Sequence, residues 1–373
     1  MKIAWDGRAL VGPRTGIGWY THHLIQAFEH IDEDWVADLL VNKPTDDRFD
    51  ARVREVVLKF PNTVHLRTVW EKGYLPNWLR HNSPDVWHSP MTLIPKSGDF
   101  AKVATVHDIA FILYPEVQPA SYRRYWIQKH REACQFADRI VCVSESTRRD
   151  LLKHFEVDSK RVVVVHEASD PSFPTRKGGV SHVKTLSKLG LSEDFLLFVG
   201  TLEPRKNLPF LLSVYETAKS EGIDLPPLAV VGGKGWLQSG LSDRIQKLGD
   251  RIRMLGYLGR IELEALYHSA QLVLVPSVYE GFGLQAAEAQ ACGAVVIAAD
   301  VSSLPEVVGE GGVLLPIESP KVWVDKIREL LDNGEVLKEL SDRAKTQAAR
   351  FSWELAARET HRVFQDAIED RKG

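Results

Sequence analysis

The stretch from Val275 to Glu288, VPSVYEGFGLQAAE, places two carboxylates, Glu280 and Glu288, on either side of a Gly-aromatic-Gly turn. An apolar strand ends at Val275 and a helix is expected from about Gly283. Gly281 and Gly283 let backbone N–H groups approach an anion closely, and a helix N-terminus adds favourable partial charge. One acidic residue near a helix start merely complements its dipole; a pair bracketing such a turn points instead to recognition of a polar ligand. A second group, Gly200-Thr-Leu-Glu-Pro-Arg-Lys-Asn207, directly follows another apolar run. Arg205 can fork to two phosphate oxygens and Lys206 can supply a mobile point charge, with Asn207 as helix cap. Taken alone, the Arg-Lys pair reads first as a solvated basic loop; together with the downstream glutamates it reads as a phosphate clamp.

Weaker signals lie elsewhere. Thr15-Gly-Ile-Gly18 is too short for a dinucleotide fingerprint and alone reads as a tight turn. His107 and Asp108 end an apolar strand, where a histidine tied to a backbone carbonyl is the ordinary outcome. Gly233 and Lys234 follow one second-half strand, and Tyr257 and Leu258 follow the next, where either could be core. Asp32-Glu-Asp34 matches a metal-binding DxD pattern only formally, because it sits in a polar turn after the first helix. No clustered His, Asp or Glu set suggests a metal site.

These groups need a frame to hold them. Apolar runs alternate with helix-period stretches along the whole chain, the pattern of βα units wound around parallel sheets. In the first half the strand candidates are Lys2–Trp5, Val36–Val41, Val64–Leu66, Asp85–His88, Val103–His107, Ile140–Val143 and Val162–Val165, with helices over Trp19–His30, Ser121–Ala137 and Thr147–Phe155. The cycle restarts with strands Phe195–Val199, Leu228–Val231, Ile252–Leu255, Leu272–Val275, Ala294–Ala298 and Val313–Leu315. Helices there fit Leu208–Ser220, Leu237–Leu248, Ile261–Ser269, Gly283–Cys292 and Val322–Leu331. Residues 173–190, rich in Pro and Gly and lacking clear periodicity, read as a linker. That gives an α/β chain of two doubly wound, Rossmann-like domains, 1–172 and 191–351, facing a cleft lined by strand carboxyl ends. Ser352 is an N-cap candidate for a last helix over 352–373, with Leu355, Ala356, Val363, Phe364 and Ala367 spaced for one face.

The segment EGFGLQAAE resembles the E-x7-E signature of the family-4 (group 1) retaining glycosyltransferases of the GT-B fold. TGIG, VHDIAF, VSESTRRDL, GTLEPRKN and FSWE match that family in order along nearly the whole chain. The resemblance implies a nucleotide-sugar donor on the second domain and an acceptor, a glycan or lipid-linked sugar, on the first. It implies that Glu280 holds the donor sugar's hydroxyls, Glu288 the ribose, and Arg205 with Lys206 the diphosphate, without metal. Gly16 and Gly18 would lie in a loop over the diphosphate, and His107 would contact the donor sugar. Gly233, Lys234, Tyr257, Leu258, Gly281, Phe282, Gly283 and Leu284 would line the donor, and the last helix would return to the first domain. VHDIAF with GTLEPRKN looks most like mannosyl- and rhamnosyl-type enzymes of surface polysaccharide assembly. GDP-mannose is therefore the first expected donor, and no cofactor beyond this co-substrate is expected. A sugar-nucleotide 2-epimerase of the same fold and a non-catalytic nucleotide-sugar-binding subunit are the rival readings.

Composition narrows the field without naming a reaction. The 373 residues are 44% hydrophobic and 26% charged, which excludes disorder and fibrous repeats. A net charge of −3 argues against a dedicated nucleic-acid binder. Cys134, Cys142 and Cys292 form no CxxC pair, so neither a disulfide framework nor a cysteine zinc site is expected. No apolar run reaches the roughly 18–20 residues of a membrane-spanning helix, and the N-terminus lacks a signal-peptide core. The expectation is a cytoplasmic protein. The run 121–131 carries four Lys/Arg among aromatics. It reads as an ordinary amphipathic helix with a basic outer face, or as a peripheral contact with a membrane surface.

Overall fold

The computed structural model describes every residue except 13, 15, 59–68, 116–119, 174–179, 234–239 and 373. The chain forms two compact units: Met1–Glu167 together with Ser352–Gly373, and Ala168–Phe351.

Unit 1 is built on β1 (Lys2–Asp6), β2 (Val36–Val41), β3 (Val53–Val57), β4 (Val86–Ser89), β5 (Ala101–Val106), β6 (Arg139–Cys142) and β7 (Val162–Val164). They pair in the order β3-β2-β1-β4-β5-β6-β7, every pair parallel. Unit 2 repeats the plan with β8 (Leu196–Val199), β9 (Leu228–Val231), β10 (Ile252–Gly256), β11 (Leu272–Val275), β12 (Val296–Ala299) and β13 (Gly312–Leu315), ordered β10-β9-β8-β11-β12-β13 and again all parallel. Parallel strands covered by helices on both faces must be apolar on both faces. β5, β9, β11 and β12 are buried along their whole length, which is why each reads as a continuous apolar run.

In each unit the strand order reverses beside the first strand, between β1 and β4 and between β8 and β11. Chains leaving these two neighbours turn to opposite sides, opening a crevice at their carboxyl ends. In unit 2 the loops that leave this point are 200–207 and 276–283. They carry both of the motifs that attract attention in the sequence.

The last helix, Trp353–Asp370, belongs to unit 1 and packs on the helix Gly16–Phe28 and on β5. Ser352 caps it, its hydroxyl accepting from the Leu355 N–H at 3.1 Å. The Phe364 ring lies 5.8 Å from that of Phe28 and 5.1 Å from that of His88, against the buried Trp5. The face differs from the expected one at a single position. Leu355 is exposed, and Trp353, Ala357 and His361 take the buried rows that a 3.6-residue period dictates.

Other elements depart from the sequence reading. The expected strand Val64–Leu66 lies outside the described residues, and β3 occupies Val53–Val57 instead. That edge strand is half-exposed and charged, so its apolar signal is weak. The expected linker at 173–190 contains a helix, Val180–Lys188, and begins with Phe173, which is buried in unit 2. Gly334–Ala348 is a helix with few buried positions, Ala344, Gln347 and Ala348, and so shows little periodic signature. In the helix Ala120–Phe136, Lys129 points inward, 2.7 Å from Glu71, which interrupts the expected basic outer face.

Removing the Phe364 ring deletes the aromatic group that fastens the last helix to the β1–β4 side of the sheet. Phe364→Ala should cost about 3–5 kcal/mol, seen as a lowered melting temperature and faster hydrogen exchange in β1 and β4. Unchanged exchange there would show that this packing does not hold unit 1 together.

Candidate functional site

The loop after β8 turns through a short 3-10 segment, Pro204–Lys206, and passes through Asn207 in the left-handed region at φ 57°. Asparagine tolerates that conformation better than most residues. Its side-chain amide donates to the Pro276 carbonyl at 3.1 Å, tying this loop to the one after β11. The Val278 N–H also donates to the Arg205 carbonyl at 2.9 Å. Gly283 closes the second loop at φ 103°, a conformation suited to glycine, and starts the helix Leu284–Ala291. A Cβ on Gly283 would also stand 3.0 Å from the Leu304 side chain.

Glu280 is the hub between the two loops. Its Oε2 accepts from Arg205 Nη1 at 2.7 Å. Its Oε1 accepts from Lys206 Nζ at 2.6 Å, Ser277 Oγ at 2.6 Å and Gln285 Nε2 at 2.7 Å. Its own N–H donates to Ser302 Oγ at 2.9 Å, and Ser303 Oγ donates to the Glu280 and Phe282 carbonyls. Arg205 also reaches the Tyr279 carbonyl and Glu203. Burial alone would raise the Glu280 pKa, but Lys206 and Arg205 overcome it and hold the carboxyl at about 2. Lys206 is pulled below the usual lysine value by its own burial, opposed by Glu280. Two cations, Arg205 and Lys206, thus share a loop pair with two carboxylates, Glu203 and Glu280, a charge-balanced group around the buried Glu280.

Glu288 lies two turns further on and faces a separate set. Tyr267 Oη donates to its Oε2 at 3.1 Å, and Arg260 Nη2 is 3.5 Å from its Oε1. Arg260 also pairs with Asp170 and stacks over the Phe173 ring. Arg260 begins just past Tyr257 and Leu258, so the loop after β10 leads to Glu288. Tyr257 is 74% exposed, which removes it from any core. Gly233 is described, and Lys234 lies outside the described residues.

In unit 1, His107 leaves β5 with both ring nitrogens facing acceptors: Glu167 Oε1 is 2.8 Å from Nδ1 and the Pro90 carbonyl is 3.1 Å from Nε2. Asp108 Oδ1 accepts from the Ala110 N–H at 2.9 Å and shapes the following turn. Gly16 and Gly18 do not form a loop; they are the first turn of the helix Gly16–Phe28. A Cβ on Gly18 would meet the Ala9 carbonyl at 2.6 Å, so close helix-to-turn packing already demands a glycine. Ser277, Gln285, Ser302, Ser303, Arg260, Tyr267 and Glu167 were not singled out in the sequence. Ser277 and Gln285, both inside VPSVYEGFGLQAAE, stood within a motif that could have flagged them. Among the described residues no group of His, Cys, Asp and Glu is placed to hold a metal ion, and no helix is long and apolar enough to cross a membrane.

Two family profiles cover most of this frame: "Glycosyltransferase Family 4" over residues 14–173 and "Glycosyl transferases group 1" over residues 186–347. The chain is 31% identical over 291 residues to the O-antigen chain mannosyltransferase B of Escherichia coli, covering 77% of this chain and 76% of that protein. This chain belongs to the group 1, family 4 glycosyltransferases. It is also 28% identical to the serotype-specific mannosyltransferase WbdA of E. coli, over 73% of this chain but only 34% of that longer protein. Among solved structures, the sucrose-phosphate synthase of Thermosynechococcus elongatus matches with a TM-score of 0.79 at 19% identity, covering 99% of both chains. The shared fold is GT-B.

In this glycosyltransferase the two glutamates sit in opposite electrostatic regimes. Burial raises the Glu288 carboxyl from 4.5 to about 7, and Arg260 only partly offsets it. A carboxyl whose folded pKa exceeds its unfolded value makes the folded chain the better proton binder. Stability from this group is therefore full below about pH 4.5 and falls as pH rises through about 7. Glu288→Gln should melt above wild type at pH 8, with the difference shrinking toward pH 5. A melting difference independent of pH would show that Glu288 is ionised throughout.

Proposed function

We propose that this glycosyltransferase moves a mannosyl residue from GDP-mannose, with retention and without a metal ion, to a glycan or lipid-linked sugar acceptor of surface polysaccharide assembly. The observation that carries this reading is the Glu280 group: a buried carboxylate and two cations at the point where the strand order of unit 2 reverses. The mannosyltransferase relatives support the choice of sugar, and the motif resemblance supports GDP as its carrier.

The chemistry follows from charge. As the bond from the sugar C1 to the diphosphate oxygen stretches, negative charge grows on the leaving group and positive charge on the ring. Arg205 and Lys206 favour the former, and their help increases along the reaction, which is what accelerates it. Glu280 accepts hydrogen bonds from hydroxyls of the sugar and stabilises developing positive charge nearby. Both its oxygens are engaged, and a carboxyl held at about 2 is weakly basic, so it suits positioning better than covalent attack. Retention then favours departure and attack on one face of the sugar, the acceptor proton passing to the leaving diphosphate oxygen.

Incubation with GDP-mannose and a mannose-terminated acceptor in excess EDTA should give an α-linked product, read by proton NMR. Lys206→Ala should lower kcat by about 10²–10³, provided circular dichroism shows the variant folded. Abolition by EDTA with rescue by magnesium or manganese, or wild-type turnover in folded Lys206→Ala, would overturn the proposal.

A further inference from the structure

Ser302 and Ser303 lie in the loop that follows β12, the strand beside β11. The Leu304 N–H donates to the Val301 carbonyl at 3.1 Å, closing a tight turn with the two serines at its centre. Ser302 has φ 50° and Ser303 has φ −84° with ψ −11°, the signs of a type II′ turn, whose first central position favours glycine. Glycine would shape this turn without strain, whereas serine at that position strains the backbone. What serine adds is its oxygen. Ser302 Oγ accepts from the Glu280 N–H at 2.9 Å. The fully buried Ser303 Oγ donates toward the Glu280 carbonyl at 3.0 Å and the Phe282 carbonyl at 2.7 Å. Consecutive side chains thus grip the Glu280 backbone on both sides.

The other flank of this loop is built alike. Among the described residues of unit 2, Asn207 and Ser302 are the residues other than glycine with positive φ. One follows β8 and the other β12, the two neighbours of β11, and each directs its side chain at the loop between Pro276 and Gly283. Strained residues persist only where their surroundings hold them, and they cluster where a functional group must be fixed in advance. The group fixed here is Glu280. Its Oε1 already accepts from Lys206, Ser277 and Gln285, while its Oε2 accepts from Arg205. A carboxylate oxygen takes about two hydrogen bonds, so Oε2 is the oxygen with room for a further donor. Where it aims depends on the backbone at 280.

We propose that Ser302 is a positioning residue for glycosyl transfer: with Ser303 it fixes the Glu280 main chain and so aims Oε2 at a hydroxyl of the transferring sugar. The assignment rests on the glycosyl-transfer reading but does not depend on which base the donor carries.

The deciding variant is Ser302→Gly, which relieves the strained backbone and removes the oxygen. If Ser302 only shaped the turn, this variant would transfer at least as fast as wild type. Ser302→Gly should instead melt close to wild type, show faster hydrogen exchange of the Glu280 amide in ¹H–¹⁵N spectra, and lose kcat about three- to tenfold. GDP, which has no sugar for Glu280 to hold, should bind with unchanged Kd. Wild-type kcat in Ser302→Gly, or unaltered exchange of the Glu280 amide, would overturn the proposal. A large drop in melting temperature together with weakened GDP binding would reduce Ser302 to a structural part of unit 2 and overturn it as well. The exchange measurement needs no donor. Faster exchange in Ser302→Gly, in a protein that transfers nothing from GDP-mannose, would leave the grip on Glu280 standing and count against the proposed reaction alone.

Discussion

Unit 2 depends on one buried carboxylate. The loops after β8 and β11 leave neighbouring strands at the point where the sheet's winding reverses, and they are short and rich in polar groups. Something must hold them in register, and Glu280 does so by collecting Arg205 and Lys206 from one loop and Ser277 and Gln285 from its own side. Removing these charges from water is expensive, several kcal/mol for each ion. Only a nearly complete set of partners offsets that, and the group supplies one. The same arrangement keeps two cations and a carboxylate desolvated, where their interaction with a charged ligand is stronger than in water.

The second glutamate shows what happens without such a set. Glu288 is less buried than Glu280 but has only one tyrosine hydroxyl and an arginine shared with Asp170, so desolvation prevails and its carboxyl is driven upward. One helix with its N-terminal turn therefore presents a fixed anion and a group that is half protonated near neutrality. Unit 1 handles its own reversal differently. Asp6 at the end of β1 pairs with Arg8, and Glu71 with Lys129, a buried network closed by Tyr125. His107 stands just past the end of β5, its ring against Glu167.

The doubly wound plan was legible because parallel strands buried on both faces must be written as apolar runs. The glutamates and the Arg-Lys pair were legible because their motifs sit directly after such runs. What escaped is equally physical. β3 is a half-solvated edge strand with charges on its face, so alternation blurred it. Val180–Lys188 follows a Pro- and Gly-rich stretch that masks its start. The close approach of Gly18 to the Ala9 carbonyl could not be read from its short motif. The direct pairing of Arg205 and Lys206 with Glu280 could not be read either. The cations lie more than seventy positions from the carboxylate, and only the adjacency of β8 and β11 brings them together.

The claim that Glu280 and its cations form one cooperative group is tested most directly by a double-mutant cycle of Lys206→Met and Glu280→Gln. Unfolding of unit 2 would be followed by hydrogen exchange in β8 and β11. Breaking a buried pair from one side leaves an uncompensated charge and should cost about 3–5 kcal/mol in each single variant. The double variant should then be no less stable than either single one, with a coupling of roughly 2 kcal/mol or more. Losses that add to within about 0.5 kcal/mol would mean that the two residues do not act together, and the account of the site would fail.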